Sequence, residues 1–186
     1  RLLTLINDII RLSELDQVEE QNCFEELDIY DIAQNCVEML RLSAKKHDVT
    51  MELHGVHRII CANRQMMDEL VYNLCDNAIR YNNPGGRVDI TVDAAVAFDK
   101  TAETGATIIE VKDTGIGISK EHQERIFERF YRVDKSRSKS TGGTGLGLAI
   151  VKHIVAAHKN ASLSLTSEPG KGTCIRVDFK MKTNLE

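Results

Sequence analysis

The sequence predicts the α+β class, with helices on one face of a mostly antiparallel sheet. The predicted strands come in runs, whereas a doubly wound sheet would alternate strands one for one with helices. The chain has 186 residues, which is enough for one domain of ordinary size and an appendage. With 42% hydrophobic and 28% charged residues, its composition is typical of a folded soluble chain rather than a disordered or fibrous one.

Charge and cysteine content narrow the classes of function. The net charge of −4 argues against a nucleic-acid-binding protein, which would show a basic face. The basic run at 132–139 is too short to reverse this. Five cysteines without a C-x-x-C pair predict reduced, mostly buried thiols and argue against a metal site built on them. No apolar run has the length of a membrane span.

Residues 1–16 are predicted to form a helix with two adjacent apolar stripes. One stripe runs through Leu2, Leu5, Ile9 and Leu12, and the other through Leu3, Ile6 and Ile10. Two stripes make a wide apolar face that suits a helix bundle, although docking on the chain's own core is the alternative. Residues 17–22 lack an apolar period and are expected to be a linker. Because the chain begins inside this helical pattern, we expect it to be a fragment of a longer protein.

The domain at 23–182 begins with elements that follow from apolar spacing. A strand is expected at 23–29, and the next helix, ending near Lys46, is indicated by Ile32, Val37, Leu40 and Ala44. Residues 49–53 alternate as a strand, and 59–62 are consistent with another. Asn63 is a suitable N-cap for a helix over 64–81. The inward face of that helix carries Met67, Leu70, Leu74 and Ala78.

The second half of the domain contains more strands than helices. The turn at 83–86 is Asn-Pro-Gly-Gly, in which proline fixes φ and glycine permits positive φ. Strands are expected at 87–92 and 107–112, followed by a helix over 145–158. The last two strands, at 162–166 and 173–180, flank a Glu-Pro-Gly turn.

Three motifs in this domain carry candidate chemistry. On the helix at 64–81, Glu69, Asn73, Asn77 and Tyr81 recur every fourth residue. These polar groups lie on one side of the helix and are either a solvated face or, because asparagine oxygens suit Mg²⁺, part of a site. Arg80 could meet a phosphate on the same side.

The second motif, Asp113-Thr-Gly-Ile-Gly, follows a strand. Its carboxylate would accept a hydrogen bond from an amino group and repel a carbonyl oxygen, which favours adenine over guanine. The alternative is a simple turn. The third motif places Gly143, Gly145 and Gly147 at the start of a helix, where backbone N–H groups and the helix dipole suit phosphates. This third motif follows a basic loop rather than a strand, so it is not a dinucleotide fingerprint.

The order and spacing of these motifs resemble the ATP-binding domain of sensor histidine kinases, a family grouped with the gyrase, heat-shock chaperone and mismatch-repair ATPases. NLCDNAIRY (73–81) is similar to the N box, and DTGIGI (113–118) is similar to the first glycine box. IFERFYRVD (126–134) resembles the F box, and GGTGLGLAIV (142–151) resembles the second glycine box. The resemblance covers about residues 22–180. Residues 1–16 resemble the second helix of the dimerisation and phosphoacceptor hairpin.

The resemblance implies a two-layer α/β sandwich, the Bergerat-type fold, that binds ATP with Mg²⁺. By position, Asn77 would be the Mg²⁺ ligand and Asn73 its neighbour at the phosphates, while Arg80 and Tyr81 would contact phosphate and ribose. Asp113 would take the adenine amino group. The other residues implied at the nucleotide are Gly115, Gly117, Ile118, Phe130, Arg132, Gly143, Thr144, Gly145, Leu146 and Gly147. Residues 118–144 would form a lid over the phosphates.

The implied reaction is transfer of the γ-phosphoryl group to a histidine, with Asn73, Arg80 and Arg132 as catalytic residues. Phosphoryl transfer needs mostly positioning and charge neutralisation, which Mg²⁺, Arg80 and Arg132 would supply. Related ATPases place a water-activating glutamate where this chain has Asn73, which favours kinase chemistry over hydrolysis. None of the six histidines lies in a phosphoacceptor context, so we expect ATP binding without autophosphorylation.

The implied partners are the phosphoacceptor helix of the same or a sister subunit and the receiver domain of a response regulator. The full-length protein would be a homodimer anchored in the cell membrane, with this fragment in the cytoplasm and no role for nucleic acid. Two other readings stay open. A regulatory module would act by binding nucleotide alone, although the intact motifs argue against degeneracy. An ATPase of the gyrase type is disfavoured by the short chain and the missing glutamate.

Overall fold

A computed structural model of the chain describes residues 24–94, 106–133 and 143–180, together with the isolated positions 6, 10 and 13. Its strands are β1 (Glu25–Asp28), β2 (Val49–Gly55), β3 (Ile59–Ala62), β4 (Gly86–Ala94), β5 (Thr107–Asp113), β6 (Ala161–Glu168) and β7 (Gly172–Phe179). Its helices are α1 (Ile29–Lys46), α2 (Arg64–Arg80), α3 (Lys120–Gln123) and α4 (Gly147–Ala157), with a 3₁₀ turn at Arg125–Phe127. The predicted order of strands and long helices is confirmed.

The main sheet has five strands in the order β2-β4-β5-β7-β6. β2 and β4 are parallel, whereas the three other neighbouring pairs are antiparallel. β1 and β3 form a separate two-stranded antiparallel sheet. The prediction of a mostly antiparallel sheet is therefore confirmed, and the parallel pair lies at one edge.

The core lies between one face of the main sheet and the long helices. α2 contacts both α1 and α4, and its predicted inward residues Leu70, Leu74 and Ala78 are buried. Ile90 on β4 and Ile109 on β5 are fully buried beneath the helices. Burying a large aliphatic side chain contributes about 1.5–3 kcal/mol, so this layer fixes α2 against the sheet and leaves its polar row facing outward.

Side-chain caps determine where two helices begin. Asn63 accepts a hydrogen bond from the backbone N–H of Met66 at 3.0 Å, which confirms the predicted N-cap of α2. Asp28 does the same for α1, accepting from the N–H of Tyr30 at 3.0 Å. Such caps satisfy N–H groups that the first turn of a helix leaves unpaired.

Two predictions about the chain's periphery have different outcomes. Positions 6, 10 and 13 of the opening helix are helical, with Ile6 and Ile10 about half exposed, while the rest of that helix and the linker at 17–22 lie outside the described residues. The prediction of mostly buried cysteines is wrong for Cys61, which is exposed, while Cys36 and Cys75 are buried. Cys61 lies on the outward-facing side of the short strand β3, whose burial alternates.

No described helix is both long and apolar enough to span a membrane.

Candidate functional site

The polar row of α2 forms the floor of the candidate site. Asn73 and Asn77 are half-buried one turn apart, on the side of the helix away from Leu70 and Leu74. The amide nitrogen of Asn73 donates to the backbone carbonyl of Glu69 at 2.8 Å and to its carboxylate at 3.3 Å. Because both partners are acceptors, the amide oxygen of Asn73 is turned toward the other side of the site.

The start of α4 faces these two asparagines. A β-carbon added to Gly147 would lie 2.9 Å from Oδ1 of Asn73 and 3.2 Å from Nδ2 of Asn77. Leu146, which precedes Gly147, is fully buried and anchors the helix start in the core. The structure therefore brings the second glycine cluster and the Asn-Asn row together, with the N-terminal end of α4 adjacent. Free N–H groups and the positive dipole end of a helix favour anions at such a place.

Two arginines lie at the edge of this floor. The Nε atom of Arg80 is 2.6 Å from Oδ2 of Asp76, one turn earlier on α2. Arg132 lies near Gly143, because a β-carbon on that glycine would be 3.8 Å from Nη2 of Arg132 and 3.4 Å from the hydroxyl of Tyr81. Tyr81, Arg132 and Gly143 are therefore neighbours, while Arg80 is held by Asp76.

Asp113, the last residue of β5, supplies a buried carboxylate at the other end of the site. Only 8% of its surface is exposed, and its Oδ1 accepts hydrogen bonds from the N–H of Gly115 at 2.8 Å and of Thr173 at 3.2 Å. Burial raises the pKa of Asp113, and the two backbone hydrogen bonds oppose this shift. Within the described ranges both bonds fall on Oδ1, which leaves Oδ2 to accept from a ligand.

The loop after Asp113 requires its glycines. A β-carbon on Gly115 would overlap the carbonyl of Tyr81, and Gly117 has φ of +66° and lies against the carbonyl of Glu168. The N–H of Ile116 donates to the Tyr81 carbonyl at 3.1 Å. The loop is thus pressed against the C-terminal end of α2 on one side and the β6–β7 hairpin on the other.

Phe130, inside the predicted lid at 118–144, is hydrogen-bonded to Gly145, the residue that follows the lid. The N–H of Phe130 donates to the carbonyl of Gly145 at 2.9 Å, and Phe130, with φ of +64°, is itself exposed. Beside it, the hydroxyl of Tyr131 lies 2.7 Å from Nδ1 of His122, and Arg125 stacks on the Tyr131 ring at 4.3 Å. Residues 134–142 of the predicted lid lie outside the described part of the chain.

A family model described as histidine kinase-, DNA gyrase B- and HSP90-like ATPase matches residues 62–183. This range contains the Asn row, Asp113 and both glycine clusters. The chain belongs to this ATPase family.

Similar proteins place this ATPase domain among sensor histidine kinases. The sensor histidine kinase RppB of Synechocystis is 40% identical over 96% of this chain, which spans 38% of that relative. The solved structure of the mycobacterial sensor histidine kinase MprB has a TM-score of 0.68 and 26% identity, covering 84% of this chain and 97% of that one. Full-length ShkA in complex with AMPPNP shares the fold, with a TM-score of 0.76 at 24% identity, and covers 96% of this chain and 35% of that one. The chain therefore corresponds to the ATP-binding catalytic domain of these kinases.

The ATPase fold gathers the sequence-predicted residues into two groups. Around the start of α4 lie Asn73, Asn77, Tyr81, Arg132, Gly143, Leu146 and Gly147. Around the end of β5 lie Asp113, Gly115, Gly117 and Ile118. Tyr81 contacts both groups, since its hydroxyl is close to Gly143 and its carbonyl to Gly115. Phe130 is hydrogen-bonded to Gly145, and next to Gly145 the Leu146 N–H is 3.4 Å from the Thr144 hydroxyl.

Residues outside the sequence motifs also form hydrogen bonds to Asp113 and to the loop that follows it. The predicted hairpin turn between the last two strands is confirmed at 169–171, and Thr173 at the start of β7 donates its N–H to Asp113. Ser167 and Gln123 hydrogen-bond the loop that follows Asp113. Their residue types carry no motif, because their importance depends on the pairing of strands distant in sequence.

The donor atoms at the start of α4 fit a hard cation such as Mg²⁺ bound with phosphate. Such a cation takes oxygen ligands and keeps several from phosphate and water. Asn73 turns its oxygen toward Gly147, whereas Asn77 turns its nitrogen toward it. Asn73 already presents its oxygen, and rotation about the last side-chain bond of Asn77 would present the oxygen of that amide, so the residue types suit the metal.

Proposed function

We propose that this chain binds ATP with Mg²⁺ and transfers the γ-phosphoryl group to a histidine on a separate helix, for later relay to an aspartate of a response regulator. The observation that carries the proposal is the packing of Gly147 against Asn73 and Asn77. This packing sets two amide side chains beside the first turn of α4, where a triphosphate and its metal would be bound together.

The base end of the nucleotide is assigned to Asp113. Its carboxylate is buried and already accepts two backbone hydrogen bonds on Oδ1, so its position is fixed before a ligand arrives. An acceptor at this place favours the 6-amino group of adenine over the carbonyl oxygen of guanine. Gly115, Gly117 and Ile118 would form the adjoining wall.

The phosphate end is assigned to the groups around α4. Asn77 is the proposed Mg²⁺ ligand and Asn73 its neighbour, and the metal would neutralise charge on the phosphates. Arg132 is the proposed contact to the γ-phosphate, with Gly143–Gly147 closing over the chain of phosphates. Fixed positive groups at this point stabilise the charge that develops during transfer.

Arg80 would need to divide its interactions between Asp76 and the nucleotide. The ion pair with Asp76 at 2.6 Å fixes one face of the guanidinium. A guanidinium has five N–H donors in a planar fork, so Arg80 could donate to a phosphate or ribose oxygen in addition to Asp76. We therefore keep Arg80 as a catalytic residue whose orientation depends on Asp76.

Kinase chemistry is favoured over hydrolysis by the residue at position 73. An asparagine amide cannot accept a proton from water as a carboxylate can. We expect steady-state hydrolysis of ATP by the chain alone to be slow. Rapid hydrolysis that Asn73→Ala abolishes would contradict this assignment.

The proposed partners follow from the kinase reaction. Residues 1–16 would be the second helix of the dimerisation hairpin and 17–22 the linker to the catalytic domain at 23–182. The acceptor histidine would come from the other helix, of the same or a sister subunit, in a homodimer. The receiver domain of a response regulator would take the phosphoryl group, and the parent protein would be anchored in the cell membrane with this domain in the cytoplasm.

The experiment is a phosphoryl-transfer assay. The chain is mixed with Mg-[γ-³²P]ATP and a full-length, kinase-dead protein that carries the acceptor helix. We expect label on the acceptor and none on this chain, with transfer lost in Asn77→Ala. Tight ATP binding without transfer would instead support a regulatory module that acts by binding alone.

A further inference from the structure

Ser167, one residue before the end of β6, is bonded to three parts of the base end of the site. Its hydroxyl accepts from the N–H of Ile118 at 2.8 Å and donates to the carbonyl of Gly172 at 3.0 Å. It also lies 2.9 Å from the hydroxyl of Thr173, which is its directly opposed partner in the sheet register. One small side chain therefore ties the loop after Asp113 to the β6–β7 hairpin.

The proton and both lone pairs of the Ser167 hydroxyl are all engaged in hydrogen bonds. A serine hydroxyl has one proton and two lone pairs. The carbonyl of Gly172 takes the proton, and the N–H of Ile118 takes one lone pair. The Thr173 hydroxyl must therefore donate its own proton to the second lone pair. Alanine at 167 would remove all three bonds at once, whereas threonine would keep the hydroxyl.

Gln123, the last residue of α3, completes the attachment. Its amide nitrogen donates to the carbonyl of Ile118 at 2.8 Å and to the carbonyl of Ser167 at 3.0 Å. Both backbone polar groups of Ile118 are thus bonded, one to Ser167 and the other to Gln123. The far end of the Gly115–Ile118 loop is fixed by side chains from two other elements.

This attachment reaches Asp113 without touching it. Asp113 accepts from Gly115, at the near end of the loop, and from Thr173, the partner of Ser167. Loosening Ser167 would therefore let both donors of the carboxylate move. Gly117, in the same loop, lies close to the carbonyl of Glu168, the residue after Ser167. This close approach depends on the same distance between the loop and the β6–β7 hairpin.

We propose that Ser167 is a positioning residue for the nucleotide base, acting through the Gly115–Ile118 loop and Thr173, with Gln123 in a supporting role. This rests on the proposed function, since it assumes that Asp113 binds the amino group of adenine. It adds a specificity role that lies outside the four sequence motifs. The effect falls on ligands that carry the amino group and spares the phosphate end.

The test compares ATP with inosine triphosphate, which has a carbonyl oxygen in place of the 6-amino group, by calorimetry with Mg²⁺. Net hydrogen bonds contribute about 0.5–1.5 kcal/mol each. We therefore expect Ser167→Ala to weaken ATP binding by about three- to tenfold and inosine triphosphate binding by less than about twofold. Ser167→Thr should bind ATP like the wild type. Ser164→Ala, at an exposed serine on the same strand, is the matched control and should change neither affinity.

Gln123→Glu provides an independent variant of similar shape that lacks both amide donors. It should reproduce the selective loss of ATP affinity, and it keeps the test decisive if Ser167→Ala does not fold. Equal weakening of both nucleotides, or ATP affinity unchanged in both variants, would overturn the positioning role while leaving the proposed function intact. Absence of ATP binding by the wild type would instead overturn the proposed function itself.

Discussion

At the scale of single residues, the proposed selection of adenine depends on the charge of Asp113. Asp113→Asn keeps the size of the side chain and an oxygen for Gly115 and Thr173 but removes the negative charge. A hydrogen bond to a charged acceptor contributes about 1.5–3 kcal/mol, so we expect ATP affinity to fall by about ten- to a hundredfold. Titration calorimetry with Mg²⁺ measures this. Asp93→Asn, at an exposed aspartate on β4, is the control, and an unchanged affinity in Asp113→Asn would exclude the assigned role.

The same carboxyl group predicts a pH dependence of folding stability. Burial raises the pKa of Asp113 above its ordinary value of 3.8, so between these two values the native protein binds a proton that the unfolded chain has lost. Stability contributed by this group therefore falls as the pH rises through that window. Compared with Asp113→Asn, which does not titrate, the wild type should lose stability from about pH 4 upward. Urea denaturation of both proteins across pH measures the difference, which should be constant if the assignment is wrong.

At the scale of elements, α2 carries the floor of the site, and its start depends on one cap. Asn63 is 8% exposed and accepts from the Met66 N–H. Asn63→Ala should lower the free energy of unfolding by about 0.5–2 kcal/mol. Asn63→Asp retains an acceptor and should lose much less. Chemical denaturation measures both, and equal losses in the two variants would show that the cap is not the source of the stability.

A substitution at the start of α4 should affect nucleotide binding more than folding stability. In Gly147→Ala the new β-carbon would press on Asn73 and Asn77, so binding of Mg-ATP should weaken by about tenfold or more, the effect of a misplaced metal shell. Gly147 does not have a positive φ, and the atoms that the β-carbon would meet are the ends of two asparagine side chains, which can shift, so folding stability should not fall comparably.

Gly143→Ala is the matched control in the same glycine cluster. Its β-carbon would meet Tyr81 and Arg132 only at ordinary contact distance, 3.4 and 3.8 Å. Its effect on ATP affinity should therefore be smaller than that of Gly147→Ala. The reverse order of effects would show that the crowding of the asparagines does not control binding.

At the scale of the whole molecule, local sequence patterns predicted the helices and strands. They did not predict which residues distant in sequence are paired. The cap at Asn63 and the inward face of α2 follow from residue type and helical period, and both are confirmed. The pairing of β1 with β3 and the bond from Thr173 to Asp113 join residues more than 30 positions apart, which periodicity does not encode. Arg80 and Asp76 have the i, i+4 spacing of an ion pair on a helix, which the sequence shows. Whether Arg80 binds Asp76 or a phosphate depends on the three-dimensional surroundings of its side chain, which the sequence does not show.

The assembled molecule places an amide pair, a helix start and a buried carboxylate around one end of α2. The two ends of this arrangement meet at Tyr81, which contacts Gly143 through its hydroxyl and Gly115 through its carbonyl. A nucleotide bound along this line would have its base at Asp113 and its phosphates at α4. The proposed function requires that Asp113 and the start of α4 bind the same nucleotide.

Calorimetric titration of the chain with ATP, in the presence and absence of Mg²⁺, tests this most directly. We predict that Mg²⁺ strengthens ATP binding to the wild type and that Asn77→Ala removes this gain, while Asp113→Asn weakens binding under both conditions. Binding that is equally strong with and without Mg²⁺, or an Asn77→Ala variant that keeps the full gain from the metal, would contradict the account.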